Sequence, residues 1–155
     1  MLTITSTAFT PHGEIPKEHT CEGDDRPPPL AFASVPPGTQ SLALIVDDPD
    51  APDPRAPKRT WVHWVVYNLP PTTPGLPAGA ALPPGARVGN NDWGRDAYGG
   101  PCPPIGRHRY FHKLYALDVM LPDLGAPTKA ELERAMEGHV LEHAELVGTY
   151  EKTGD

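Results

Sequence analysis

The chain has 155 residues and a mass of 16.7 kDa, which fits one domain spanning 1–155 with room for a buried core. Thirteen Lys and Arg against twenty Asp and Glu leave a formal charge of −7, which repels a phosphate backbone and argues against nucleic acid as a partner. Proline and glycine, 22 and 15 residues, approach the level of low-complexity disorder, but dense apolar runs point to a loop-rich globule.

The first forty residues alternate short β-like runs with turn signals such as Glu22-Gly23-Asp24-Asp25 and Pro36-Pro37-Gly38. Ser41–Asp47 is a continuous apolar run, as in a strand buried on both faces. Pro49, Pro52 and Pro54 then predict that the strand stops and the chain turns. Thr60–Leu69 reads as a second strand. Alternation sets Trp61, His63, Val65 and Tyr67 on one face, and Val62, Trp64 and Val66 on the other.

Pro70–Ala86, with six prolines and three glycines, predicts a long surface loop, and Gly89–Gly106 a second one. Arg107–Leu117 is a third strand, with His108, Tyr110, His112, Leu114 and Ala116 on one face. Thr128-Lys129-Ala130-Glu131 has capping-box spacing and opens a helical stripe through Leu132, Met136, Val140, His143 and Val147. Gly148–Lys152 offers a last strand. No stretch reaches the ~18 apolar residues of a membrane span, and no basic-then-apolar leader opens the chain. A cytoplasmic protein is expected.

Asp48 and Asp50 close the first buried strand, where carboxylates face either a cleft or solvent. His63 lies between Val62 and Trp64, a setting open to both a packed core histidine and a ligand contact. His108 and Tyr110, about 6.6 Å apart along one strand face, form a better pair. An imidazole and a phenol pointing one way can both donate to one anion.

Gly99-Gly100-Pro101-Cys102-Pro103-Pro104 joins glycines, which allow close backbone approach, to prolines that stiffen the loop. Within it, Cys102 reads as an inert buried thiol in preference to a nucleophile with His108 as base. Two cysteines, Cys21 and Cys102, are too few for a disulfide framework or a paired-cysteine zinc site, and they leave one long-range bridge open. His139-Val140-Leu141-Glu142-His143 matches the H-x-x-E-H zinc pattern, but both histidines fall in the apolar stripe and read as structural. No metal and no cofactor are expected.

Together the segments resemble the phosphatidylethanolamine-binding protein family, in its bacterial and archaeal Raf-kinase-inhibitor-like branch. The blocks that carry the resemblance are T-C-E-G-D-D-R-P-P-P-L (20–30), D-D-P-D-A-P (47–52), R-T-W-V-H-W-V-V-Y-N-L-P (59–70) and G-N-N-D-W-G (89–94). Two more follow, Y-G-G-P-C-P-P-I-G-R-H-R-Y-F-H-K-L-Y-A-L-D (98–118) and A-M-E-G-H-V-L-E-H-A-E-L-V-G-T-Y (135–150). The resemblance implies a mainly β fold, an antiparallel two-sheet Greek-key sandwich with one or two peripheral helices. It also implies a pocket at one end for a small anion or phospholipid head group, such as phosphate or phosphorylethanolamine. Carried over by position, its residues are Asp48, His63, His108 and Tyr110, with Gly100, Pro103 and Pro104 as wall and Asp50 and Pro52 at the rim.

A protein partner, kinase or protease, is implied too. One alternative is a serine-protease inhibitor that presents the stiff Pro70–Ala86 loop. Another, read from the residues, is a small hydrolase using Asp48 with His63 or His108 as acid–base partners. Three departures from animal members stand out: Cys102 replaces a glycine, the proline-to-histidine spacing is two residues shorter, and the chain ends near residue 150 without their C-terminal helix. Pro28 also replaces a usual serine. An anion held by imidazoles and a phenol gains charge-assisted hydrogen bonds, with Asp48 orienting a histidine or receiving an ammonium group. Anion affinity is then expected to weaken as pH rises through a histidine pKa. A cis X-Pro bond within 48–54 or 100–104 would suit such tight turns.

Overall fold

The computed structural model describes residues 1–79 and 82–152. Its strands are β1 (Thr3–Thr5), β2 (Leu30–Ala33), β3 (Ser41–Ala51), β4 (Arg59–Leu69), β5 (Gly75–Leu76), β6 (Arg87–Val88), β7 (Arg107–Leu117) and β8 (Val140–Glu151). One helix, α1 (Lys129–Met136), lies between β7 and β8. The strands form two antiparallel sheets, β1-β2-β5 and β6-β4-β3-β7-β8. The mainly β, two-sheet architecture is the one expected. No helix of the described residues is long and apolar enough to cross a membrane.

β3 is central and apolar on both faces, and the structure covers both. Leu42, Leu44 and Val46 meet Ile4, Leu30, Phe32 and Leu76 of the small sheet. Ala43 and Ile45 share the other face with Val62, Val65 and Tyr67 of β4, beneath Leu132 and Met136 of α1. Each fully buried aliphatic side chain contributes about 1.5–3 kcal/mol. The prolines do not end this strand at Asp47, as predicted; it continues to Ala51. Pairing with β7 stops at Asp47, opposite Phe111, and pairing with β4 is irregular between Asp48 and Ala51. Pro49 therefore sits where the ladder asks for no N–H. The Ala51–Pro52 bond is cis.

β4 also departs from simple alternation. Val46 pairs with Trp64 and Asp47 with Val62, so His63 is the extra residue of a β-bulge. The bulge changes the phase of the strand. His63 turns toward Tyr110 on the inner face, while Val65 and Tyr67 pack on the helix side.

The capping box forms as predicted: the Thr128 hydroxyl accepts from Glu131 N–H, and the Glu131 carboxylate accepts from Thr128 N–H. The helix then ends at Met136, and Gly138 takes φ +81°, a turn open to glycine at low cost. Val140, His143 and Val147 belong to β8, which pairs with β7 from Leu117 to Arg107. A long ladder overrides a 3.6-residue stripe here. The H-x-x-E-H residues therefore do not share a helix face. His139 bonds Asp118, and His143 packs on Tyr115. Within Pro70–Ala86, β5 pairs with β2 and buries Leu76, so that segment is tied to the small sheet; Ala80 and Ala81 lie outside the described residues.

Candidate functional site

A pocket of about 290 Å³ opens at the end of the large sheet where β3 finishes and β4 and β7 begin. That is near the lower bound of small-molecule sites, roughly 300 Å³. Asp48, Pro52, Trp61, His63, Trp93, Cys102, Pro103, Pro104, His108 and Tyr110 line it, with Ala51. Asp48, His63, His108 and Tyr110 are each 3 % exposed or less, so their polar groups work in a desolvated setting.

Asp48 and His108 form the floor. His108 Nδ1 lies 2.5 Å from Asp48 Oδ2, and its Nε2 faces two carbonyls, Pro52 at 3.0 Å and Ile105 at 2.9 Å. Carbonyls only accept, so Nε2 carries a proton, and a further proton lies between Nδ1 and the carboxylate. Asp48 Oδ1 accepts from Asp50 N–H at 2.7 Å. Burial pushes the Asp48 carboxyl above its ordinary range, and the bonds from His108 and Asp50 oppose that shift. Both nitrogens of His108 are thus engaged inside the protein. It does not offer the free N–H to an anion that the strand pattern suggested.

His63 and Tyr110 meet edge to face, with ring centroids 5.2 Å apart. His63 Nδ1 is 2.7 Å from the Gly99 carbonyl, so Nδ1 bears the proton and Nε2 is left as an acceptor. Burial, outweighing that bond, lowers its pKa to about 4. The ring is neutral at ordinary pH, and a loss of anion affinity through a histidine pKa cannot arise at this residue. Tyr110 is held far above the normal phenol range, chiefly by burial and then by Asp48, and stays a donor. Its hydroxyl and the indole Nε1 of Trp61 are buried without a hydrogen-bond partner. Both side chains line the pocket, and each carries a buried donor with no partner.

The rim is aromatic. Trp61 and Trp93 pack edge to face at 5.4 Å, and Trp93 meets His63 at 5.1 Å. Buried Asn91 fixes this turn: its Oδ1 accepts from the N–H groups of Trp93 and Arg95, and its Nδ2 donates to Ala97 O. Trp61 was legible from its predicted face, two residues from His63. Trp93 lay within a matched block but carried no signal of its own.

The wall is cross-linked. Cys21 and Cys102 form a disulfide, so Cys102 is neither the inert thiol expected nor a nucleophile. Cys21 N–H also donates to Pro101 O, and the Tyr98 hydroxyl to His19 O. Gly100 does not line the pocket. Its N–H donates to Asp25 Oδ1, and a Cβ there would lie 2.4 Å from that oxygen and from His19 O. Its part is the close docking of two loops. Asp50 is likewise outside the lining. It accepts from Arg109 N, Nε and Nη2, and this pairing holds its carboxyl below the usual range.

The family model for phosphatidylethanolamine-binding protein matches residues 5–151. A UPF0098 protein of Chlamydia pneumoniae is 49 % identical over 150 residues, covering 97 % of this chain and 99 % of its own. Among solved structures, a phosphatidylethanolamine-binding protein homolog from Chlamydia trachomatis, CT736, superposes with a TM-score of 0.91 at 46 % identity, covering 97 % of each chain. Escherichia coli YbcL gives 0.87 at 33 % identity, covering 98 % of this chain and 99 % of its own.

Proposed function

The chain belongs to the phosphatidylethanolamine-binding protein family, and on that premise we propose that its pocket binds a small anion, such as phosphate or the phosphoryl head group of phosphorylethanolamine. The observation that carries this reading is the pair of buried, unpartnered donors, Tyr110 O–H and Trp61 N–H, lining one cavity. Buried donors cost free energy until an acceptor reaches them, and phosphoryl oxygens are strong acceptors. The aromatic rim gives the organic part of a head group a surface to pack on.

The acid–base hydrolase alternative fits the geometry less well. His108 has no nitrogen free to take a proton from a nucleophile, and His63 is too weak a base near neutral pH. Inhibition of a protease through the Pro70–Ala86 loop is disfavoured because β5 and Leu76 anchor that segment. Regulation of a kinase stands on family resemblance and on no residue of the pocket. A cytoplasmic location also sits poorly with the Cys21–Cys102 bridge, since reducing cytosols keep such thiols apart.

Calorimetric titration with inorganic phosphate and phosphorylethanolamine, on the parent and on Tyr110→Phe, tests the reading. Saturable binding by the parent, weakened about 10- to 100-fold in the variant, is expected for one lost hydrogen bond to a charged group. A parent that binds neither compound refutes the proposal.

A further inference from the structure

The proposed anion site, on which this inference rests, has a lining without free charge. Tyr110 and Trp61 are neutral donors, Asp48 and His108 compensate each other, and among the described residues no Lys or Arg lines the cavity. Arg59 and Arg95 instead stack on the Trp61 and Trp93 rings, 4.6 and 5.9 Å from their centroids. A doubly charged anion desolvated there would meet no unspent countercharge. His63 adds the complementary element. Its Nδ1–H is committed to Gly99, so Nε2 presents a lone pair, and a lone pair asks for a ligand that brings a proton.

We infer that His63 sets the specificity of the pocket, which takes the protonated, singly charged form of a phosphoryl group. The P–OH donates to His63 Nε2, while the other oxygens accept from Tyr110 O–H and Trp61 N–H. A sulfate ester has no such proton and sets an oxygen lone pair against the imidazole lone pair. Sites built on a matched polar contact reject the unmatched analogue by orders of magnitude.

The groups around His63 leave it an acceptor throughout. From β3 come Asp47, paired to Lys113 and Lys129, and Asp48, paired to His108. From β7 come His108, Tyr110 and His112, the last lowered by burial to about 4. The loop that closes over the ring contributes the Trp93 indole, the Gly99 carbonyl at Nδ1 and a weaker contact from the Gly100 backbone. Between pH 5.5 and 8.5 the ligand titrates and His63 does not.

Calorimetry across that range with methyl phosphate, methylphosphonate and methyl sulfate tests the inference. A phosphate monoester loses its second proton near pH 6, so methyl phosphate should weaken on the order of 200-fold by pH 8.5. Methylphosphonate, the weaker acid, should move the break to higher pH. Methyl sulfate should bind at least ~100-fold more weakly than methyl phosphate at pH 5.5. His63→Gln, whose amide can donate, should narrow that ratio to about tenfold or less. A break at one pH for both phosphoryl ligands, or methyl sulfate binding as tightly as methyl phosphate, overturns the inference and leaves the anion site standing. Binding of none of the three at any pH overturns the anion site and this inference together.

Discussion

Asp47 and Asp48 are neighbours on one strand, both buried, and they face opposite ways into different chemistry. Asp47 points to the helix side, where Lys113 lies at 3.0 Å and Lys129 at 2.7 Å, both partly open to solvent. Two flexible cations share its Oδ2 and balance its charge. Asp48 points into the pocket, paired to a fully buried imidazole and set among donors that have no partner. A buried charge with ready counterions fastens a fold. One held in a compensated pair beside unpaired donors is what the proposed binding site is built on.

The largest test of this contrast is covalent. The pocket side of β3 faces a wall closed by a disulfide across a sequence separation of 81, worth about 4.5 kcal/mol in the chain-entropy picture. Reduction, or Cys21→Ser with Cys102→Ser, should lower stability by up to that amount. Amide exchange should speed up at 98–104 while the strands around Asp47 and Lys113 stay protected. Equal loosening on both sides would erase the distinction.

Asp48→Ala should cost about 3–5 kcal/mol in chemical denaturation and abolish anion binding, because it strands a buried ring. Acid should discriminate as well. His63 and His112 are lowered to about 4 by burial, so the unfolded chain binds more protons below its histidine pKa of about 6.5. Stability is then complete above that value and lost progressively as pH falls toward 4, by a few kcal/mol for each ring. Urea midpoints that stay flat between pH 6.5 and 4.5 would contradict this.

Asp47→Ala should cost less, about 1–2 kcal/mol, since the freed lysines can turn to water. It should leave anion affinity within about twofold. The smallest effect is the most telling. Tyr110→Phe deletes a buried hydroxyl without a partner, so thermal melting should show no loss, and a gain of up to ~1 kcal/mol, while binding falls. A destabilised Tyr110→Phe would mean that the hydroxyl serves the fold.

Much of the fold was readable because its strands carry their environment in their composition. The unbroken run of β3 announced burial on both faces, and the alternation of β7 put His108 and Tyr110 together inside. Where the structure departs from local pattern, long-range pairing is the cause. Val140, His143 and Val147 keep helical spacing, yet they lie on β8 because β7 supplies a ladder for them. Simple alternation groups His63 with Val65 and Tyr67, because no local signal marks a bulge set by the register of a strand sixteen residues earlier.

The sequence by itself determined the three long strands β3, β4 and β7, the capped start of the helix and the family, and it named Asp48, His63, His108, Tyr110, Pro103 and Pro104 of the pocket lining, since these are written in local pattern or in ordered blocks. The tertiary structure decided what those residues can do. It joined Cys21 to Cys102, closed both nitrogens of His108, turned His63 Nε2 into an acceptor and left Tyr110 and Trp61 as unpaired donors of the pocket lining. Donor and acceptor roles depend on which atoms meet across the fold, and residue identity does not carry that.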